Sequence, residues 1–190
     1  MTGCVSLPPN ERSRDTRRYA DGFSLIELLV VVAVMAVIAG IAISALLQAR
    51  MRANESAAIA SLSAVRSAEA TYASTCARGG FAQSLNDLAR APAGASQSFI
   101  SEPIGANGVI RSGYVANLSA DLGAMVITPA ADTCNGSTAD AMSMYFAERH
   151  PDRIGLTGQR SFAIATGGTI YVKDDGTMIA LGMVGALTLR

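Results

Sequence analysis

The chain has 190 residues, half of them hydrophobic, and its Lys and Arg balance its Asp and Glu to a formal net charge of zero. A balanced charge gives no footing for a broad basic face, so nucleic acid is not expected as a direct ligand. The length allows one domain plus an appendage, and the uneven spread of apolar residues says where the appendage lies.

Residues 1–22 are polar, with Pro8, Pro9 and four arginines (Arg12, Arg14, Arg17, Arg18) among Glu11, Asp15 and Asp21. They have no apolar periodicity and read as a cytoplasmic leader. Lys and Arg favour that side of a span, although Arg50 and Arg52 on the far flank weaken the asymmetry. Residues 28–47 carry no charge and one polar side chain, Ser44. They meet the roughly 20 residues that a helix needs to cross a bilayer. A secretory signal is the rival reading, but its apolar core runs only about 7 to 15 residues and ends in a small-residue cleavage site, which is not seen here. Within "GFSLIELLVV", residues 22–31, Glu27 sits at the start of this run. An ionisable residue at membrane depth is costly and calls for a partner.

Residues 48–76 are Ala-rich and lack Gly and Pro. Ile59, Leu62, Val65, Tyr72 and Cys76 form one apolar stripe at mostly three- or four-residue spacing, with Arg50, Arg52, Glu55, Arg66 and Glu69 as its polar complement. A helix continuous from Phe23 to Cys76 would be about 80 Å long, ended by Gly79 and Gly80. A short helix is expected over residues 84–90, with Ser84 and Asp87 as its cap signal and Pro92 as its stop. Period-two patches follow at residues 114–119, 124–128, 142–147, 161–166 and 169–173, with a hairpin signal at Gly167 and Gly168. The expectation is an antiparallel sheet of about four strands whose apolar face covers the helix stripe.

The chain has three cysteines. If Cys4 lies in a removed segment, Cys76 and Cys134 form one even pair, which fits a disulfide in an oxidising compartment; two unrelated buried thiols are the alternative. No Cys or His spacing suits a structural zinc. His150, the single histidine, stands beside Pro151 and is read as a solvated loop residue without catalytic or metal duty. Met142 and Met144, two apart, are read as one strand face rather than a copper site. The apolar tail of residues 177–190 is too short for a second span. It is read as a final strand over the sheet, with an exposed contact surface as the other option.

"GFSLIELLVVVAVMAVIAGIAI" resembles the N-terminal signal of type IV prepilins and type II secretion pseudopilins. "LLQARMRANESAAIASLSAVRSAEATYASTC" and "GGFAQSL" are similar to stretches of bacterial pilins and pseudopilins, and beyond residue 85 only pieces such as "GLTGQRSF" carry the likeness. The resemblance implies an α+β, type IV pilin-like fold: a long N-terminal helix on a C-terminal antiparallel sheet. The parts would be a cleaved leader (1–22), a transmembrane and filament-core helix (23–47), its amphipathic continuation (48–77) and a globular head (78–190). It implies that a prepilin peptidase cuts between Gly22 and Phe23 and methylates Phe23, and that Glu27 pairs with the N-terminal ammonium of a neighbouring subunit. The product would be a structural, non-enzymatic subunit of a helical filament. Its partners would be membrane lipid before assembly, an inner-membrane platform, and other pilins or pseudopilins.

The implied location is the bacterial inner membrane, single-pass with the C-terminal domain outside the cytoplasm, and afterwards a surface pilus or periplasmic pseudopilus. The signal is shared by pili, secretion pseudopili and DNA-uptake systems, so it implies the class rather than the system. Asp174 and Asp175 are calcium candidates, as loop carboxylates are in some major pseudopilins. The full acidic spacing of a calcium loop is absent, so a plain Asp-Gly hairpin turn is favoured and no cofactor is expected. Ser44 stands where many family members have Pro, which leaves Gly40 as the flexible point, and the long leader raises an alternative translation start. The competing class is an extracytoplasmic binding or enzymatic domain on a single-span anchor. An anchor needs neither the internal carboxylate nor the cut site.

Overall fold

The structure, a computed structural model, describes residues 23–100, 105–183 and 185–189. The leader expected over residues 1–22, with Cys4 and Gly22, lies outside the described residues. Contacts divide the chain into two compact units, Met1–Ala42 and Ile43–Arg190.

One helix, α1 (Leu25–Thr75), contains a single Gly and no Pro, so nothing in its sequence interrupts the backbone ladder, and it runs through both Gly40 and Ser44. Every residue from 23 to 50 is exposed. The later part of α1 differs: Glu55, Ala58, Leu62, Val65, Glu69 and Tyr72 are buried along one face. Their three- and four-residue steps keep them on one side of the helix. Glu55 and Glu69, expected among the exposed complement, therefore lie in the buried stripe, whereas Arg50, Arg52 and Arg66 are exposed. The helix closes through Gly79, whose N–H donates to the Ala73 carbonyl (2.8 Å) at a φ of 96° that glycine adopts freely.

A second helix, α2 (Leu85–Leu88), is shorter than expected, but its cap is the expected one. Ser84 Oγ accepts from the Asp87 N–H (3.2 Å) and donates to Asp87 Oδ2 (2.8 Å).

The strands are β1 (Ile110–Arg111), β2 (Tyr114–Ala120), β3 (Val126–Thr128), β4 (Ala141–Met142), β5 (Tyr145–Pro151), β6 (Ser161–Ala165), β7 (Ile170–Lys173) and β8 (Leu187–Thr188). Six of them form one antiparallel sheet in the order β1-β2-β5-β6-β7-β8, and β3 pairs with β4 apart from it. This is wider than the four strands expected. The single patch at 142–147 is in fact two strands, broken where the Ser143 N–H turns to the Met125 carbonyl (2.7 Å) and Ser143 Oγ accepts from the Met125 N–H (3.0 Å). Met142 and Met144 therefore do not share a strand face. β6 and β7 do form the expected hairpin, closed by the Gly168 N–H on the Ala165 carbonyl (2.8 Å).

One sheet face carries Ala116, Leu118, Ala147, Phe162, Ile164 and Val172, in one buried cluster with Ala58, Leu62, Val65 and Tyr72 of α1. Burying each Leu, Val or Ile side chain contributes roughly 1.5–3 kcal/mol, which is why the helix stripe and the sheet face meet. The backbone comes closest at Gly158, where a Cβ would stand 2.1 Å from the Tyr114 hydroxyl oxygen. That hydroxyl donates to the Arg160 carbonyl (2.8 Å). The opposite face packs Phe146 and Ala163 against Ile179 of the C-terminal tail. Of the two roles weighed for the tail, the structure has the first: Ile179 covers the sheet and β8 extends it, while Met178, Leu181 and Leu187 are exposed.

The result is an α+β layout like that of type IV pilins, a long apolar N-terminal helix followed by a C-terminal antiparallel sheet.

Candidate assembly and processing site

Phe23 and Ser24 precede the first helical residue. The Ser24 carbonyl accepts from the Glu27 N–H (3.0 Å) and the Leu28 N–H (3.2 Å), which starts the ladder. Glu27 therefore lies in the first turn of α1, where unpaired N–H groups and the helix dipole favour a negative charge. Its carboxylate makes no hydrogen bond or ion pair among the described residues. Phe23 is 75% exposed, and Leu25, Ile26, Leu28 and Leu29 after it are all more than half exposed. A helix apolar on every face needs lipid or other helices around it. Gly22, the residue expected before the cut, lies outside the described residues.

Several polar clusters lie among the described residues of the second unit. At the lower end of its helix stripe, Glu55 Oε2 accepts from Arg160 Nε (3.0 Å) and Nη2 (2.6 Å), and Oε1 accepts from the Gln159 N–H (3.1 Å). Arg160 also lies over the Phe162 ring, 5.5 Å from its centroid. The bond to Glu55 raises the Arg160 pKa above its ordinary value. Further along, Glu69 is fully buried; Oε2 accepts from the Ala82 N–H (2.9 Å), and Oε1 has no partner. Burial pushes its pKa from 4.5 to about 8; the Ala82 bond works against this, and the nearby Asp87 adds to it.

His150 was expected in a loop; it belongs to β5 and is half-buried. Its Nδ1 lies 3.1 Å from both oxygens of the buried Glu148, whose Oε1 also accepts from Asn117 Nδ2 (2.6 Å). The Glu148 bond raises the His150 pKa, outweighing the opposing effect of burial. On the same strand Arg149 is buried among core side chains, which lowers its pKa to about 10, and its Nη2 has no partner.

Asp174 and Asp175 begin a turn after β7, but the chain does not fold straight back as a hairpin; β8 follows only at Leu187. Asp175 instead accepts from the Thr177 N–H (2.9 Å) and Oγ1 (2.7 Å) and pairs with Lys173 at 3.4 Å. These donors lower its pKa.

Cys76 and Cys134 are joined by a disulfide, with Sγ atoms 2.03 Å apart and Cα atoms 4.8 Å apart. The bridge ties the segment just past α1 to the loop between β3 and β4, and the Cys134 N–H donates to the Cys76 carbonyl (3.3 Å) beside it.

Residues 17–43 match the prokaryotic N-terminal methylation motif, the type IV prepilin-like signal. No curated protein and no solved structure matches the chain. The motif supports a type IV pilin- or pseudopilin-like precursor and suggests a structural protein. It implies processing by a prepilin peptidase and assembly with other pilins. Together with one apolar N-terminal helix it fits a single-pass membrane anchor.

Proposed function

We propose that this chain is the precursor of a structural filament subunit, a type IV pilin or pseudopilin. In this reading it is cut between Gly22 and Phe23, methylated at Phe23, and polymerised through residues 23–47. The observation that carries the reading is Glu27: a carboxylate in the first turn of a helix that is exposed and apolar over the following twenty residues, inside the matched motif. The cut leaves an ammonium at Phe23, next to the helix's own unpaired N–H groups. In lipid each charge stays near the headgroups. Among packed helices it needs an opposite charge, and Glu27 of a neighbouring copy supplies one.

Intact-mass spectrometry of the membrane-extracted protein tests the cut, with a chain beginning at methylated Phe23 as the expected product. A mature chain that keeps Arg18 refutes it. Assembly is tested with Glu27→Leu. Membrane level and leader cleavage should persist, since the span becomes more apolar. Filaments sheared from the cells should disappear, and normal filament yield would remove Glu27 from the assembly role.

A further inference from the structure

The apolar run of α1 ends at Leu47, and Gln48 is the first polar side chain after it. A cleft of about 560 Å³ opens there, lined by Gln48, Met51, Arg52 and Glu55 of α1 and by Gln159 and Arg160 from the segment before β6. At 1.5 Å per residue, Arg52 stands about 7 Å beyond Leu47 along the helix. That is the depth of the headgroup layer when Leu47 marks the edge of the hydrocarbon, because the polar layer adds roughly 5–7 Å on each side.

The charges of the cleft are arranged for an anion. Glu55 has both oxygens filled by Arg160 and the Gln159 N–H, so its charge is spent within the wall. Arg160 keeps Nη1 outside that pair, and Arg52 has no carboxylate within ion-pair distance among the described residues. Among the lining residues two guanidinium groups face one carboxylate, an excess of one positive charge that matches a phosphodiester, while Asp174 acts on Arg160 from outside the cleft. The Gln48 and Gln159 side-chain amides add neutral donors and acceptors of the kind that glycerol hydroxyls use. Arg50, only two residues from Arg52, points away to another face of the helix and does not line the cleft.

We propose that this cleft seats the headgroup of an anionic phospholipid of the phosphatidylglycerol type, with Arg52 and Arg160 holding its phosphate before the subunit leaves the membrane. The site rests on the single-span reading above, and the test separates the two. The full-length chain is first floated with phosphatidylcholine vesicles. Flotation is expected, and its failure overturns the span itself.

Native mass spectrometry of the detergent-solubilised chain, titrated with phosphatidylglycerol or phosphatidylcholine, then reads the site. The parent should retain phosphatidylglycerol about fivefold more than phosphatidylcholine, the effect of one arginine at a membrane surface. Arg52→Gln should hold the two lipids equally, and Arg50→Gln should keep the parent's preference. A preference unchanged in Arg52→Gln overturns the site, and so does equal loss in both variants, which would mark a diffuse basic rim. Excess inorganic phosphate should leave the lipid bound; full displacement would make the occupant a free anion and overturn the lipid assignment.

Discussion

Glu69→Gln is expected to make the head more stable at neutral and alkaline pH, although it alters the centre of the core. The parent carboxyl is fully buried with a single hydrogen bond, from the Ala82 N–H, and its pKa stands at about 8 against an ordinary 4.5. An acid with a raised native pKa binds its proton more tightly folded than unfolded, so the stability of the parent falls as pH rises through that window. Below pH 4.5 Glu69 exacts no charge penalty, and above about pH 8 the whole penalty is present. At 1.36 kcal/mol per pH unit this corresponds to about 5 kcal/mol above pH 8 and about 3 kcal/mol at pH 7. Gln keeps an acceptor for the Ala82 N–H and never ionises.

Urea unfolding of the detergent-solubilised chain, followed by near-UV dichroism of the buried Tyr72, Tyr114 and Tyr145, measures this. Below pH 5 the two proteins should be similar, with the variant level or slightly weaker because its amide N–H₂ replaces an oxygen without a partner. By pH 8 the variant should lead by several kcal/mol. The difference between the two isolates Glu69 from every other titrating group. Curves that stay parallel from pH 5 to pH 8 refute the reasoning.

Three further outcomes follow from the second unit. Replacing Cys76 and Cys134 by Ser opens a loop of 58 residues and should cost up to about 4 kcal/mol; non-reducing peptide mapping of the parent should recover the linked pair. His150, the single histidine, should titrate by NMR above its ordinary 6.5, and Glu148→Gln should bring it down. Its pairing stabilises the fold fully below pH 6.5 and is lost as pH rises through the higher native value, so urea midpoints of parent and Glu148→Gln should converge there. Gly158→Ala sets a Cβ into the Tyr114 hydroxyl and should destabilise by about 1–3 kcal/mol, whereas Gly136→Ala, with nothing within 4 Å, should cost only its backbone strain at a φ of 60°.

Much of this organisation is legible in the residues, and the failures have physical causes. The apolar run, the helix stripe, the Ser84 cap and the β6–β7 hairpin are local patterns, each set by residues a few positions apart. At Glu55 and Glu69 charge alone suggests exposure, yet both are buried. Their spacing says otherwise: Glu69 is four residues after Val65 and three before Tyr72, and Glu55 three before Ala58. Position in the stripe outweighed side-chain chemistry, at Glu55 through the pairing with Arg160 and at Glu69 through a raised pKa. His150 is the opposite case. Its neighbour Pro151 suggested a loop, but Pro151 is the last residue of β5, where a missing N–H is tolerated. The break between β4 and β5 depends on Ser143 meeting Met125, a contact 18 residues apart that no local period announces.

The two halves of α1 obey different solvents, and this separates the consequences of changing them. Every described residue from 23 to 50 is exposed, so in the proposed reading Glu27 and the apolar run after it act through lipid or other copies. From Glu55 onward the stripe is covered by the chain's own sheet, and its polar groups act on head stability. Distant sites without shared partners contribute additively. Glu27→Leu combined with Glu69→Gln should therefore show the urea profile of Glu69→Gln and the filament loss of Glu27→Leu, with neither altering the other. A double variant that regains filaments, or whose head is weakened by the change at Glu27, would show that the carboxylate at the start of the helix serves folding rather than assembly.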